Sequence, residues 1–201
     1  MRRLLTTMTA ALLLCATATA APAMTPTETV KSRVEAALQN LSRSPATTAA
    51  SAEQRRAELR RAADSLFDFT EMGRRALGPH WAGRTPAERE EFVKLFTDLI
   101  ARSYIGKIDH YAGETIAYTG ERVDGDEASV QSRVVTAKGS QIPVEYRLHR
   151  INDGWSAYDV FVENVSLVGT YRSQFDRIIR SESFAALLQR LRDKGRVAEA
   201  R

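Results

Sequence analysis

Histidine and carboxylate side chains are the groups in this sequence that could transfer protons or bind metals, and they do not form a catalytic pattern. The three histidines, His80, His110 and His149, are far apart and lack the spacing of metal ligands. The chain has no Gly-x-Ser-x-Gly elbow, no His-Glu-x-x-His pair and no glycine-rich phosphate loop. We therefore expect each histidine to be a surface or hydrogen-bonded polar residue, and we expect no metal and no cofactor.

Asp159 is the strongest candidate for a catalytic carboxylate, because it lies between Tyr158 and Val160 in an alternating segment. In such a strand we expect it to point outward and to pair with an arginine. An Asp159 that faced inward, with a histidine beside it, would instead indicate a small enzyme with a polar pair inside a pocket.

The N-terminal segment has the pattern of an export signal. Arg2 and Arg3 precede an apolar run that ends at Cys15, and small-x-small cleavage motifs follow it. We expect residues 1–23 to be cleaved and residues 24–201 to fold as one domain. Cys15 is the only cysteine, so we expect the exported chain to be without thiols and disulfides.

The net charge does not indicate a nucleic-acid-binding protein. Loss of the two N-terminal arginines lowers the formal charge from +4 to +2. Arginines at positions 55, 56, 60 and 61 are interleaved with acidic residues, which is typical of a solvated helix face. The alternative is a docking patch for an acidic partner or an anionic membrane surface.

Capping motifs and apolar periodicity predict six helices. Thr25–Glu28 and Thr85–Glu88 are capping boxes with proline at the first helical position. The first predicted helix starts at Thr25, the second runs from about Ala52 to Phe67, and the third begins at Asp68 and stops at Gly78-Pro79. The fourth runs from Thr85 to near Lys107, the fifth starts near Tyr171, and the sixth starts near Phe184 and ends at Gly195. We expect residues 42–52 to form an exposed loop.

Between the fourth and fifth helices the apolar period switches from helical spacing to two, which predicts strands. Their predicted bounds are Glu114–Val123, Glu127–Ala137, Gln141–Arg150 and Trp155–Asn164. The short connections favour an antiparallel meander, with Pro143 at an edge or a strand start. The expected fold is therefore α+β, with a four-stranded antiparallel sheet packed against several helices.

The order of several motifs resembles the MlaC family, also called the Ttg2 toluene-tolerance family. The resemblance begins at Phe69, continues through Leu77-Gly78-Pro79-His80-Trp81 and Thr85–Phe92, and ends with Tyr158–Phe175. Asn164 stands where the family usually has glycine. The match covers most of the chain after residue 63.

The resemblance implies a periplasmic phospholipid carrier and not an enzyme. It implies a mixed fold of nuclear-transport-factor-like shape that encloses an apolar pocket for acyl chains. The implied partners are an inner-membrane ABC transporter complex and an outer-membrane lipoprotein–porin complex, and the implied role is to maintain outer-membrane lipid asymmetry. We expect a monomer whose only ligand is its phospholipid cargo.

Face assignments from periodicity give the residues that we expect to line this pocket. From the helices these are Phe69, Leu77, Trp81, Phe96, Leu99, Ile100 and Tyr104. From the sheet they are Tyr118, Val134, Tyr146, Val160 and Val162, and we expect Val165, Leu167, Tyr171 and Phe175 to close the pocket. Arg172 could serve as a structural residue or lie at the pocket mouth.

Three other interpretations remain open from the sequence. The cargo could be another apolar lipid such as a hopanoid. The chain could be a small pocketed enzyme, or a binding module with a filled core that acts through its arginine-rich surface.

Overall fold

The structure is a computed structural model that describes residues 24–43, 48–108, 114–136 and 138–199. The predicted signal segment, residues 1–23, and His110 lie outside the described residues. The described helices are α1 (Pro26–Arg43), α2 (Ala49–Leu66), α3 (Phe69–Leu77), α4 (Pro86–Ile108), α5 (Leu167–Ser181) and α6 (Phe184–Glu199), with a 3-10 turn at Gly78–His80. The strands are β1 (Thr115–Asp124), β2 (Glu127–Val135), β3 (Gln141–Ile151), β4 (Gly154–Val162) and β5 (Val165–Ser166).

The strands form one antiparallel sheet in the order β1-β2-β3-β4-β5, which confirms the α+β class and the meander. The sheet has five strands and not four, because Val165 pairs with Val162 after a two-residue turn. Glu163 and Asn164 form that turn, both with positive φ. Asparagine tolerates this left-handed conformation well, which explains how it can replace glycine there.

Both predicted capping boxes are present. The Glu28 carboxylate accepts a hydrogen bond from the Thr25 amide at 2.8 Å, and the Thr25 hydroxyl accepts one from the Glu28 amide at 3.2 Å. Glu88 and Thr85 repeat the arrangement at 2.8 and 3.3 Å. These bonds satisfy first-turn amides that have no partner within a helix, and so they fix where α1 and α4 begin.

Two boundary predictions were wrong. In the loop expected over residues 42–52, the described residues are mostly helical, since α1 reaches Arg43 and α2 begins at Ala49 behind the N-cap Thr48. The helix α6 continues past residue 195 to Glu199, because an interior glycine costs a helix only about 1 kcal/mol. Pro143 agrees with its predicted place near a strand start: it is the third residue of β3 and precedes the first pair with β4, so the missing amide costs little.

The apolar core consists of two clusters that meet at Phe67, which packs against both. The helical cluster lies among α3, α4, α5 and α6, and its centre is a set of edge-to-face aromatic contacts of Phe175 with Phe92 and Phe96. The sheet cluster lies where α1 and α2 cover one face of the sheet. Its buried members are Val30, Leu66, Ala128, Val130, Tyr146, Leu148, Trp155 and Ala157.

Candidate functional site

Asp159 is part of the helix start and not of a catalytic pair. It is 7% exposed, and its carboxylate accepts hydrogen bonds from the Ser166 hydroxyl at 2.6 Å and from the amides of Val160 and Val168 at 2.8 and 3.0 Å. The expectation of an outward residue paired with an arginine was therefore wrong. Because β5 leads directly into α5, the first-turn amide of Val168, which has no acceptor within the helix, lies close enough to the carboxylate to donate to it.

The two described histidines are hydrogen-bonded to carboxylates, as expected. His80 Nε2 lies 2.8 Å from Asp176, and His149 Nε2 lies 3.1 Å from Asp68. The hydrogen bonds from His80 and Arg180 lower the pKa of Asp176. Within the described ranges, no group of three or more His, Cys, Asp or Glu side chains could hold a metal ion.

The arginine-rich face of α2 is only partly a solvated surface. Arg55 is 8% exposed and donates a hydrogen bond to the carbonyl of Leu41 at 3.0 Å. Arg60 pairs with Asp98 of α4 at 3.1 Å. These contacts attach α2 to its neighbours, while Arg56 and Arg61 remain exposed.

The strand register reveals an apolar surface that the helices leave partly open. Residues that pair across an antiparallel sheet point to the same face, so the pairings arrange the covered face in rows. The row Ala128–Leu148–Ala157 lies beneath α1 and α2 and is buried, and in the next row Val130 and Tyr146 are buried while Val160 is half-buried. On this face burial then decreases along β2, β3 and β4 toward the end where β3 begins and β2 and β4 finish, and the residues of β1 at that end are half-buried.

We call this open region the apolar sheet end. Val162 is 44% exposed and Val165 is 61% exposed, and the other members are half-buried. Its residues are Ile116, Tyr118, Val134, Ile142, Val144, Val160, Val162 and Val165. A contiguous apolar patch that stays in contact with water indicates a binding surface.

Five of the predicted lining residues lie in the apolar sheet end. Four belong to the predicted sheet set, Tyr118, Val134, Val160 and Val162, and the fifth is Val165 of the predicted closing set. The remaining sheet residue, Tyr146, pairs with Val160 but is buried, and burial raises the pKa of its phenol to about 12. Sequence reasoning omitted Ile116, Ile142 and Val144, although alternation in β1 and β3 places them on the same face.

The other ten predicted lining residues, seven from the helices and three from the closing set, lie mostly in or against the helical cluster. Leu77, Phe96, Leu99, Ile100 and Phe175 are buried in it, and Phe69, Trp81, Leu167 and Tyr171 pack against it. Tyr104, near the end of α4, is 37% exposed. Burial and the neighbouring hydroxyl of Tyr171 raise the pKa of Tyr104.

A cavity of about 300 Å³ lies between α4, α5 and α6, and Leu99, Tyr171 and Phe175 are among its lining residues. The predicted lining residues therefore lie mainly in the apolar sheet end and the helical cluster, with Tyr146 in the sheet cluster and Tyr104 exposed near the end of α4. Both regions adjoin the start of α5, which follows β5 directly in the chain.

None of the helices in the described ranges is long and apolar enough to cross a bilayer.

The family model described as MlaC protein matches residues 31–193 of this chain.

A curated relative is the intermembrane phospholipid transport system binding protein MlaC of Haemophilus influenzae, which is 23% identical over 124 residues. That alignment covers 59% of this chain and 58% of the relative, so the chain spans less than two thirds of the relative's length. A solved structure, a phospholipid-binding protein from Ralstonia solanacearum in complex with a phospholipid, superposes with a TM-score of 0.76. It is 24% identical, with coverage of 89% of this chain and 99% of that one, and it supports the fold assignment.

Proposed function

We propose that this chain, which belongs to the MlaC protein family, binds phospholipid at the apolar sheet end and carries it across the periplasm. The donor and acceptor that we propose are an inner-membrane ABC transporter complex and an outer-membrane lipoprotein–porin complex. The expected result of this transport is the maintenance of outer-membrane lipid asymmetry.

The observation that supports this proposal most directly is the partial exposure of a whole row of aliphatic side chains. Val162 and Val165 remain 44% and 61% exposed, although they adjoin a core in which Val30 and Val130 are fully buried. Covering such a surface with an apolar ligand removes it from water, at roughly 25 cal/mol per Å². A long acyl chain gains in the same way, since each methylene contributes about 0.8 kcal/mol on burial.

The same magnitudes explain why a carrier is needed and what it must do. One long acyl chain opposes free passage through water by roughly 10 kcal/mol or more. A carrier lowers this barrier without chemical catalysis, which agrees with the structural roles of Asp159, His80 and His149. Release requires a partner that favours a conformation with weaker lipid affinity, and this is the role that we propose for the two membrane complexes.

The proposal is tested by expressing the chain with its own N-terminal segment in a Gram-negative host and purifying it from the periplasm. Native mass spectrometry of the intact protein, followed by lipid extraction, identifies what is bound. We expect a single diacyl phospholipid per chain. A protein recovered without lipid, and unable to take up phospholipid from vesicles of phosphatidylethanolamine and phosphatidylglycerol, would overturn the proposal.

A further inference from the structure

We propose that the Tyr118 hydroxyl donates a hydrogen bond to the ester carbonyl of a bound diacyl lipid, so that the site favours ester-linked over ether-linked chains. This inference depends on the proposed function, since it specifies the ligand chemistry of the same surface.

The position of Tyr118 places it at the boundary of the apolar sheet end. It pairs with Ser132 of β2, which pairs in turn with Val144 of β3, so these three side chains form one row. Ser132 is small, and its hydroxyl already donates to the carbonyl of Val144 at 3.1 Å. Tyr118 packs against the sheet cluster, so it lies between the open rows and the rows beneath α1.

The Tyr118 hydroxyl has no hydrogen-bond partner in the described part of the chain, and less than 1 Å² of its oxygen is accessible. Burial raises the pKa of this phenol, so the group remains an O–H donor at neutral pH. Buried donors in folded proteins nearly always have an acceptor. The acceptor for Tyr118 is therefore expected to come from a molecule that binds beside it.

The surroundings restrict the chemistry of that acceptor. The neighbouring side chains of the apolar sheet end are aliphatic, so the ligand must be apolar over most of its length. The burial of the Tyr118 oxygen disfavours a phosphate oxygen, because a charged group is costly to bury beside apolar side chains without a paired charge. A neutral ester carbonyl next to an acyl chain meets both conditions, whereas an ether-linked lipid has no carbonyl at that position.

The experiment compares two phosphatidylethanolamines with identical chain lengths, one with ester and one with ether linkages. The delipidated full chain is incubated with an equimolar mixture in vesicles, and native mass spectrometry gives the ratio of the two bound lipids. We expect the unmodified protein to enrich the diester about three- to tenfold, as one hydrogen bond would give, and Tyr118→Phe to reduce the ratio to near one. Tyr118→Phe should not lower the thermal stability, because it removes a hydroxyl that has no partner.

Tyr146→Phe is the matched control, since it removes a hydroxyl one row deeper in the same face and should retain the preference. A diester preference that is the same in Tyr118→Phe as in the unmodified protein would overturn this inference and leave the carrier function intact. So would an unmodified protein that binds both lipids equally. An unmodified protein that takes up neither lipid would instead overturn the proposed function, and this inference with it.

Discussion

The side chain of Arg172 packs against the α-carbon of Gly78, and a methyl group at that carbon would lie 2.7 Å from Arg172 Nε. Gly78 ends α3 with a φ of 54°, in a conformation that residues with a side chain rarely adopt. The contact joins the end of α3 to the first turns of α5. It therefore assigns Arg172 a structural role, which the sequence alone left open.

Replacing Gly78 with alanine should destabilise the fold. The positive φ alone costs of order 1–3 kcal/mol for a non-glycine residue, and Arg172 must also move. Denaturant unfolding monitored by circular dichroism measures the loss. Gly83→Ala is the control and should change stability little, because a methyl group there meets no atom within 4 Å; equal stability of the two variants would contradict the assignment.

Substitution Asp159→Asn should lower the free energy of unfolding by about 1–3 kcal/mol, as expected for disrupting a buried hydrogen-bond network. Asparagine keeps one acceptor oxygen, to which both backbone amides can still donate, but its NH2 group cannot accept from the Ser166 hydroxyl as the second carboxylate oxygen does. Asp193→Asn, on the surface of α6, should be nearly neutral in the same unfolding measurement. A neutral Asp159→Asn would indicate that other acceptors satisfy the start of α5.

Val162→Glu should prevent phospholipid loading and leave a folded protein. Val162 is 44% exposed, so the carboxylate of a glutamate at this position can reach water, but an acyl chain bound beside it would contact a charge. We expect at least tenfold less bound lipid in extracts of the purified variant. Val123→Glu is a close control, because Val123 is 48% exposed near the opposite end of the sheet; lipid loss in both variants alike would count against the apolar sheet end as the binding surface.

Glu71 should make the stability depend on pH in the acidic range. Desolvation raises the pKa of its carboxyl, but hydrogen bonds and charge from Arg74 and Arg75 outweigh it, and the net effect lowers the pKa below 4.5. A group with a lowered folded-state pKa stabilises the fold above its unfolded pKa, and this contribution is lost as pH falls through the folded value. The difference in melting temperature between the unmodified protein and Glu71→Gln should thus be constant above about pH 5 and shrink below it, and a constant difference down to pH 3 would contradict this.

Local rules predicted the elements whose determinants lie within a few residues of one another. The capping boxes at Thr25 and Thr85 fix two helix starts, and strict alternation from Ile142 to Leu148 fixes β3 and its apolar face. Alternation in β1, β2 and β4 likewise placed Tyr118, Val134, Val160 and Val162 on the face that forms the apolar sheet end. Asp159 was mispredicted because two of its partners, the Ser166 hydroxyl and the Val168 amide, come to it only through the β4–β5 turn.

Periodicity distinguishes faces but not what covers them. Phe96 and Leu99 of α4 share the apolar stripe that continues to Tyr104, yet the first two are buried and the last is 37% exposed. That difference depends on where the neighbouring helices end, which is a tertiary property. For the same reason the sequence could not separate residues of the helical cluster from those of the apolar sheet end.

The exposure of Val162 and Val165 also bears on the order of events in the lipid transfer that we propose. A protein without ligand leaves this apolar surface in water, which is unfavourable and promotes nonspecific association. In the proposed transfer we therefore expect exchange, in which a membrane complex or a new lipid covers the surface as the bound lipid leaves, to be faster than release of the lipid into water. We would accordingly expect vacant molecules to be scarce in the cell.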